Sequence, residues 1–161
     1  MRSQRFVALA VAVVAGTACN PFHHESPVEV TTADVNLNSR WHASLATPAD
    51  LAGAVQMNGA AAMAPGRKRG DTHVTIDIAN ASPGGVHPWA MHLGQCGDDE
   101  GLFGPAEAYQ PVKIGSDGRG SAVATVQIET PTTGQYFVSV RASAANAETV
   151  VACGNLAPPT Q

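Results

Sequence analysis

Short runs of alternating apolar and polar residues dominate the middle and end of the chain. Trp41, Ala43 and Leu45 alternate with His42 and Ser44, the pattern of a half-buried strand. Val74, Ile76 and Ile78 point one way and His73, Thr75 and Asp77 the other, the clearest strand in the sequence. From Ser121 to Glu129 the residues Ala122, Ala124, Val126 and Ile128 share a side. From Gln135 to Ala142, Tyr136, Val138 and Val140 oppose Phe137, Ser139 and Arg141. Pro111 to Ile114 reads as a short extended piece and Thr149 to Cys153 as a last strand. Leu51 to Asn58 reads as a further strand, weakened by Ala52-Gly53-Ala54, and the Gly/Ala-rich and then basic residues 59–71 read as a loop.

Turn-forming clusters separate these runs. They include Asn80-Ala81-Ser82-Pro83-Gly84-Gly85, Ser116-Asp117-Gly118-Arg119-Gly120 and Pro131-Thr132-Thr133-Gly134. Several short strands joined by Gly/Pro turns predict an all-β sandwich or barrel. Its centre is Gly84 to Gly97, which carries His87, Trp89, His92 and Cys96 and reads as a turn, a short buried strand and a loop. A polar loop is expected from Gly97 to about Pro111, with Asp98-Asp99-Glu100 as solvated acidity, because no EF-hand spacing follows it.

The chain's 161 residues suffice for one domain, and 44% apolar against 14% charged residues allows a core. The formal charge of −4 does not suit a nucleic-acid partner, which requires a basic face. Arg67-Lys68-Arg69, between Pro65-Gly66 and Gly70, reads as a solvated loop. Met57 and Met63 read as packing residues.

Residues 1–18 read as an export signal: Arg2 and Arg5, an unbroken apolar run from Phe6 to Ala15, then Gly16-Thr17-Ala18 before Cys19. That run is too short for a permanent span, which takes about 20 residues. Gly-Thr-Ala-Cys resembles a bacterial lipobox, with Gly16 a departure from its leucine-like position, and implies lipidation of Cys19 and attachment to the outer membrane of a bacterial cell envelope; the alternative is simple secretion to the periplasm after Ala18, with Cys19 left as a plain thiol. Removing the leader leaves 7 basic and 13 acidic residues, a formal charge of −6. Residues 19–39, with Pro21, Pro27 and the pair His23-His24, read as a flexible tether. The domain is expected over residues 40–157, with 158–161 as a tail.

With Cys19 at the leader junction, Cys96 and Cys153 remain, an even count in an exported chain, and a disulfide between them is expected. The absence of CxxC and of flanking histidines at zinc spacing argues against a cysteine-based metal site.

Gly85-Val86-His87-Pro88-Trp89-Ala90-Met91-His92 is similar to the Gly-Leu-His-Gly-Phe-His-Val-His segment of copper/zinc superoxide dismutases. Val151-Ala152-Cys153-Gly154-Asn155-Leu156 resembles their Leu-Ala-Cys-Gly-Val-Ile ending, and Asn80 to Gly85 the turn before their His-rich strand. The chordin-like repeat also carries a Gly…His…His strand, but the Ala-Cys-Gly ending favours the dismutases. The resemblance spans roughly residues 41–157. It implies a Greek-key β-sandwich or barrel and the same Cys96–Cys153 disulfide.

The resemblance does not extend to the metal ligands. Ala90 and His92 stand where the family has its first two copper ligands, and His87 matches a histidine with a structural role. No histidine follows His92, although the family's bridging, zinc and last copper histidines would. Gly104-Pro105-Ala106-Glu107 replaces Gly-Pro-His-Phe, and the arginine that steers superoxide falls at Val150. A redox copper site needs several imidazoles in a fixed geometry. The sequence therefore leads to an exported, lipid-anchored, non-enzymatic binding or structural protein with no expected cofactor. The alternatives are weak copper or zinc binding at His92, with His42, His73, Met57 or Met91 assisting, and an atypical dismutase. The protein or small-molecule partner is not specified by these residues. Hydrolytic signatures such as Gly-x-Ser-x-Gly or His-Glu-x-x-His are absent.

Overall fold

The computed structural model describes residues 40–160. The expected leader, the lipidated Cys19, the His23-His24 pair and the tether lie outside the described residues.

Strands β1 (Trp41–Ala46), β2 (Asn58–Pro65) and β3 (Thr72–Ala79) follow one another as hairpins. Next come β4 (Val86–His87), β5 (Trp89–Gln95) and β6 (Asp98–Leu102), then a short 3-10 turn at Ala106–Ala108 and β7 (Val112–Lys113). Strands β8 (Gly120–Val126), β9 (Tyr136–Arg141) and β10 (Val150–Asn155) complete the chain. Eight of them form one antiparallel sheet in the order β6-β5-β9-β10-β1-β2-β3-β8, while β4 and β7 pair separately. The last strand thus lies beside the first, and β8 returns to β3 after the β5–β6 excursion.

The sheet curls around an apolar interior to which every strand but the exposed edge strand β6 contributes an inward row. Trp41, Ala43 and Leu45 of β1 are buried while His42 and Ser44 are exposed, as alternation requires. Val74, Ile76 and Ile78 of β3, Met91 of β5 and Val138 and Val140 of β9 fill the same interior. Aromatic rings bridge its walls: Trp41 meets Tyr136 edge-on at 5.5 Å, and Phe103 meets the same ring at 5.7 Å. The segment after β6 reaches the end of β8 at Gly104. Its φ of +88° and a virtual Cβ only 2.3 Å from Val126 Cγ1 leave room for glycine alone.

Four expectations are corrected. Residues 59–71 are not a loop, because β2 occupies most of that stretch, paired to β1 on one side and β3 on the other. Leu51 to Asn58 is not a strand. It is mainly a tight coil, with Leu51 N–H bonding Pro48 O and Val55 N–H bonding Leu51 O. Ala60, Ala61 and Ala62 carry little strand propensity of their own, and the two flanking ladders impose the conformation. The polar stretch after Gly97 also contains a strand, β6, all of it exposed at the sheet edge. Ile128, expected on the inner row of β8, lies beyond its end and is exposed.

Candidate functional site

Most of the sheet's outer face is open, but one part is covered. Along β9, Val138 and Val140 face inward, yet the outward Phe137 and Ser139 are also buried. The cover comes from the β5–β6 hairpin, drawn across β9 and β10 by a disulfide. Cys96 in the hairpin turn bonds Cys153 of β10, with Cα atoms 6.0 Å apart. The Cys96 N–H also donates to Asn155 Oδ1 at 2.8 Å. The expected pairing of these two cysteines is present.

His92 sits under this cover, 5% exposed, with its ring stacked on Phe137 at 4.8 Å and 16° between planes. Nδ1 is 3.0 Å from Asp99 Oδ1 of β6. A carboxylate only accepts, so Nδ1 carries the proton. Nε2 is then the acceptor in the neutral ring, and it lies 3.0 Å from Ser139 Oγ of β9, whose hydroxyl donates. Register explains the meeting: His92 stands opposite Phe137 on β9 and opposite Leu102 on β6. A shift of register between Leu93 and Gly94 swings Asp99 over the imidazole.

Burial holds the His92 imidazole below its ordinary range, against the opposing pull of Asp99. Burial pushes the Asp99 carboxyl upward, but the Gly101 amide, His92 and Arg141 outweigh it and the net direction is down. Arg141, two residues beyond Ser139, brings Nη2 to 3.8 Å from Asp99 Oδ2. Asp99 thus faces a neutral imidazole on one oxygen and a guanidinium on the other.

His87 holds the backbone behind this cluster. Its Nδ1–H donates to the Arg141 carbonyl at 3.0 Å, while Arg141 N–H donates to Pro88 O at 2.7 Å. The residue thus ties β4 to the end of β9.

Ser139, His92 and Asp99 stand in the hydrogen-bond order of a hydrolase triad. Such a nucleophile must touch a carbonyl carbon, and Ser139 is 0% exposed in the middle of a paired strand. In this conformation the array closes polar groups against one another and locks β5, β6 and β9 together.

The metal hypotheses can be tested against donor chemistry. A ligating imidazole offers a lone pair to the ion. In His92 the only free lone pair, on Nε2, accepts from Ser139. Ala90, beside it on the outer row and opposite Ser139, offers no donor. Met91 points to the core side of β5, and Met57 and Met63 are also buried in the core. His42 and His73 lie on β1 and β3, away from β5 in the sheet order, with His73 Nδ1 3.4 Å from Thr125 Oγ1. Among the described residues no three His, Cys, Asp or Glu side chains converge as metal ligands. The described residues do not fit a copper or zinc centre.

Beside the network lies an open groove of about 870 Å³. The disulfide, Phe137 and Val150 line it together with Leu51, and Asp99 and Arg141 stand at its wall. Sequence reasoning singled out His92, as a metal-site candidate, but missed its partners. Asp99 read as solvated acidity, and Ser139 and Arg141 appeared only as one face of a strand. No local motif marks them, since they meet through pairing across the sheet.

No protein-family model matches this chain, and no curated protein matches it either.

Proposed function

We propose that this chain is an exported protein, lipid-anchored at Cys19 in a bacterial cell envelope, whose domain is a copper/zinc superoxide dismutase-like Greek-key scaffold without metal chemistry. Its role is non-enzymatic, in binding or in envelope structure. The scaffold reading is supported by the sheet order, in which β10 lies beside β1 and long crossings set β8 beside β3 and β9 beside β5, as in a Greek key. The disulfide between the Gln-Cys-Gly turn and the Ala-Cys-Gly strand supports it as well. Export is supported by the leader pattern and fits a disulfide, which persists in oxidising compartments.

The observation that carries the non-enzymatic reading is the state of His92. The one histidine aligned with a copper position donates from Nδ1–H to Asp99 and accepts at Nε2 from Ser139. The polar network replaces a metal as the element that cross-links the strands.

Copper and zinc titration of the disulfide-intact protein, alongside His92→Ala, tests this reading. Equal, weak and substoichiometric uptake by both, with no acceleration of superoxide decay, is the expected result. One tightly held copper per chain that disappears in His92→Ala would refute it.

A further inference from the structure

Among the described residues, the groove beside the disulfide and the basic turn Arg67-Lys68-Arg69 are surface features of opposite charge that the metal question leaves unused. The groove is concave, with an apolar floor of Phe137, Leu51 and Val150. Its charged lining is Asp50, Asp99 and Glu148 against the single cation Arg141, which already faces Asp99. The lining is therefore net acidic, and a basic group with aliphatic stems complements it in both charge and polarity.

The chain carries such a group. Arg67, Lys68 and Arg69 are all exposed on the connection between β2 and β3, closed by Gly66 N–H to Asp71 O at 2.8 Å. This is a convex tip, and it lies at the far end of the sheet from the groove. Asn58, at the start of β2, pairs with Ala46, which lines the groove, whereas Pro65 at the other end of β2 leads into the tip. Eight residues of strand place the two about 25 Å apart, at roughly 3.3 Å per residue. A tip so far from its own groove cannot fold back into it.

We propose that the groove receives the Arg67-Lys68-Arg69 turn of a second copy of this chain. The two surfaces differ and lie at opposite ends, so the contact is heterologous and runs head to tail. Successive copies line up as short open rows rather than closing as a pair. Exposed ion pairs are individually weak and are screened by salt, so the rows form at high local concentration and disperse as ionic strength rises.

Sedimentation velocity on the exported chain carrying Cys19→Ser tests this, over a range of protein concentration at low and high salt. Reversible association is expected that weakens at least about tenfold between 0.01 M and 0.15 M salt, as screening of exposed charges implies. Reversing the tip (Arg67→Glu with Lys68→Glu and Arg69→Glu) abolishes it, as does reversing the groove (Asp50→Lys with Glu148→Lys). Mixing the two reversed proteins restores it, because each then finds a complementary surface. All these positions are exposed, and an unchanged β-sheet circular dichroism spectrum verifies folding. A monomer at every concentration and salt would overturn the proposal. So would association indifferent to either reversal, or reversed proteins that fail to associate when mixed.

Discussion

His92 and Ser139 face one another across β5 and β9, with Nε2 and Oγ 3.0 Å apart and both residues buried. This contact gives a buried imidazole lone pair a fixed partner, and it leaves the serine hydroxyl no other task. Together with Asp99 it ties the edge strand β6 through β5 to the sheet interior.

Removing either partner strands the other. Ser139→Ala leaves Nε2 buried without a donor and should cost about 1–3 kcal/mol, the price of one unsatisfied buried polar group. His92→Ala also opens a cavity against Phe137 and should cost about 3–5 kcal/mol. Urea denaturation of each variant measures the difference. Losses below 0.5 kcal/mol, the scale of ordinary surface changes, would mean that the network does not hold the strands.

The same network sets a pH dependence. Folding lowers the His92 pKa below its ordinary 6.5, so the unfolded chain binds the proton more readily. The stabilisation is fully present above pH 6.5 and is lost as pH falls from there through the folded value. Asp99 is also lowered, from 3.8, so its contribution is present above that value and is lost as pH falls through the folded one. Both act in the same direction. Stability measured by denaturation should decline on acidification from pH 7 to 5, and His92→Gln should flatten the curve in that window.

Reduction of Cys96–Cys153 frees a loop of 57 residues in sequence. In the chain-entropy model this costs about 4 kcal/mol. The denaturation midpoint should fall accordingly on reduction, and the double variant Cys96→Ser with Cys153→Ser should match the reduced protein.

Gly59 offers a separate check on the strand that local sequence did not reveal. A Cβ there would lie 2.1 Å from Asp77 O on β3. Gly59→Ala should therefore destabilise by about 1–3 kcal/mol, the scale of a steric misfit in a packed region. A neutral result would argue against the β2–β3 ladder.

Alternation made much of the fold legible. Trp41-Ala43-Leu45 and Val74-Ile76-Ile78 declared both their strands and their buried faces. Strands β2 and β6 stayed hidden for opposite reasons. Ala60-Ala61-Ala62 is too small and uniform to show a period, and Asp98 to Leu102 is exposed throughout and has no apolar row to display. Of the site, His92 and the cysteine pair were visible because such residues are scarce in this chain. Asp99 and Ser139 were not, because their roles come from a register shift and a neighbour 47 positions away in sequence.

Nitrogen-15 NMR of the His92 ring tests the central claim most directly. The account predicts a neutral imidazole at pH 7 with the proton on Nδ1, unchanged by one equivalent of zinc or cuprous ion. A stoichiometric shift of the Nε2 resonance on adding either ion, with loss of the hydrogen bond from Ser139, would contradict it.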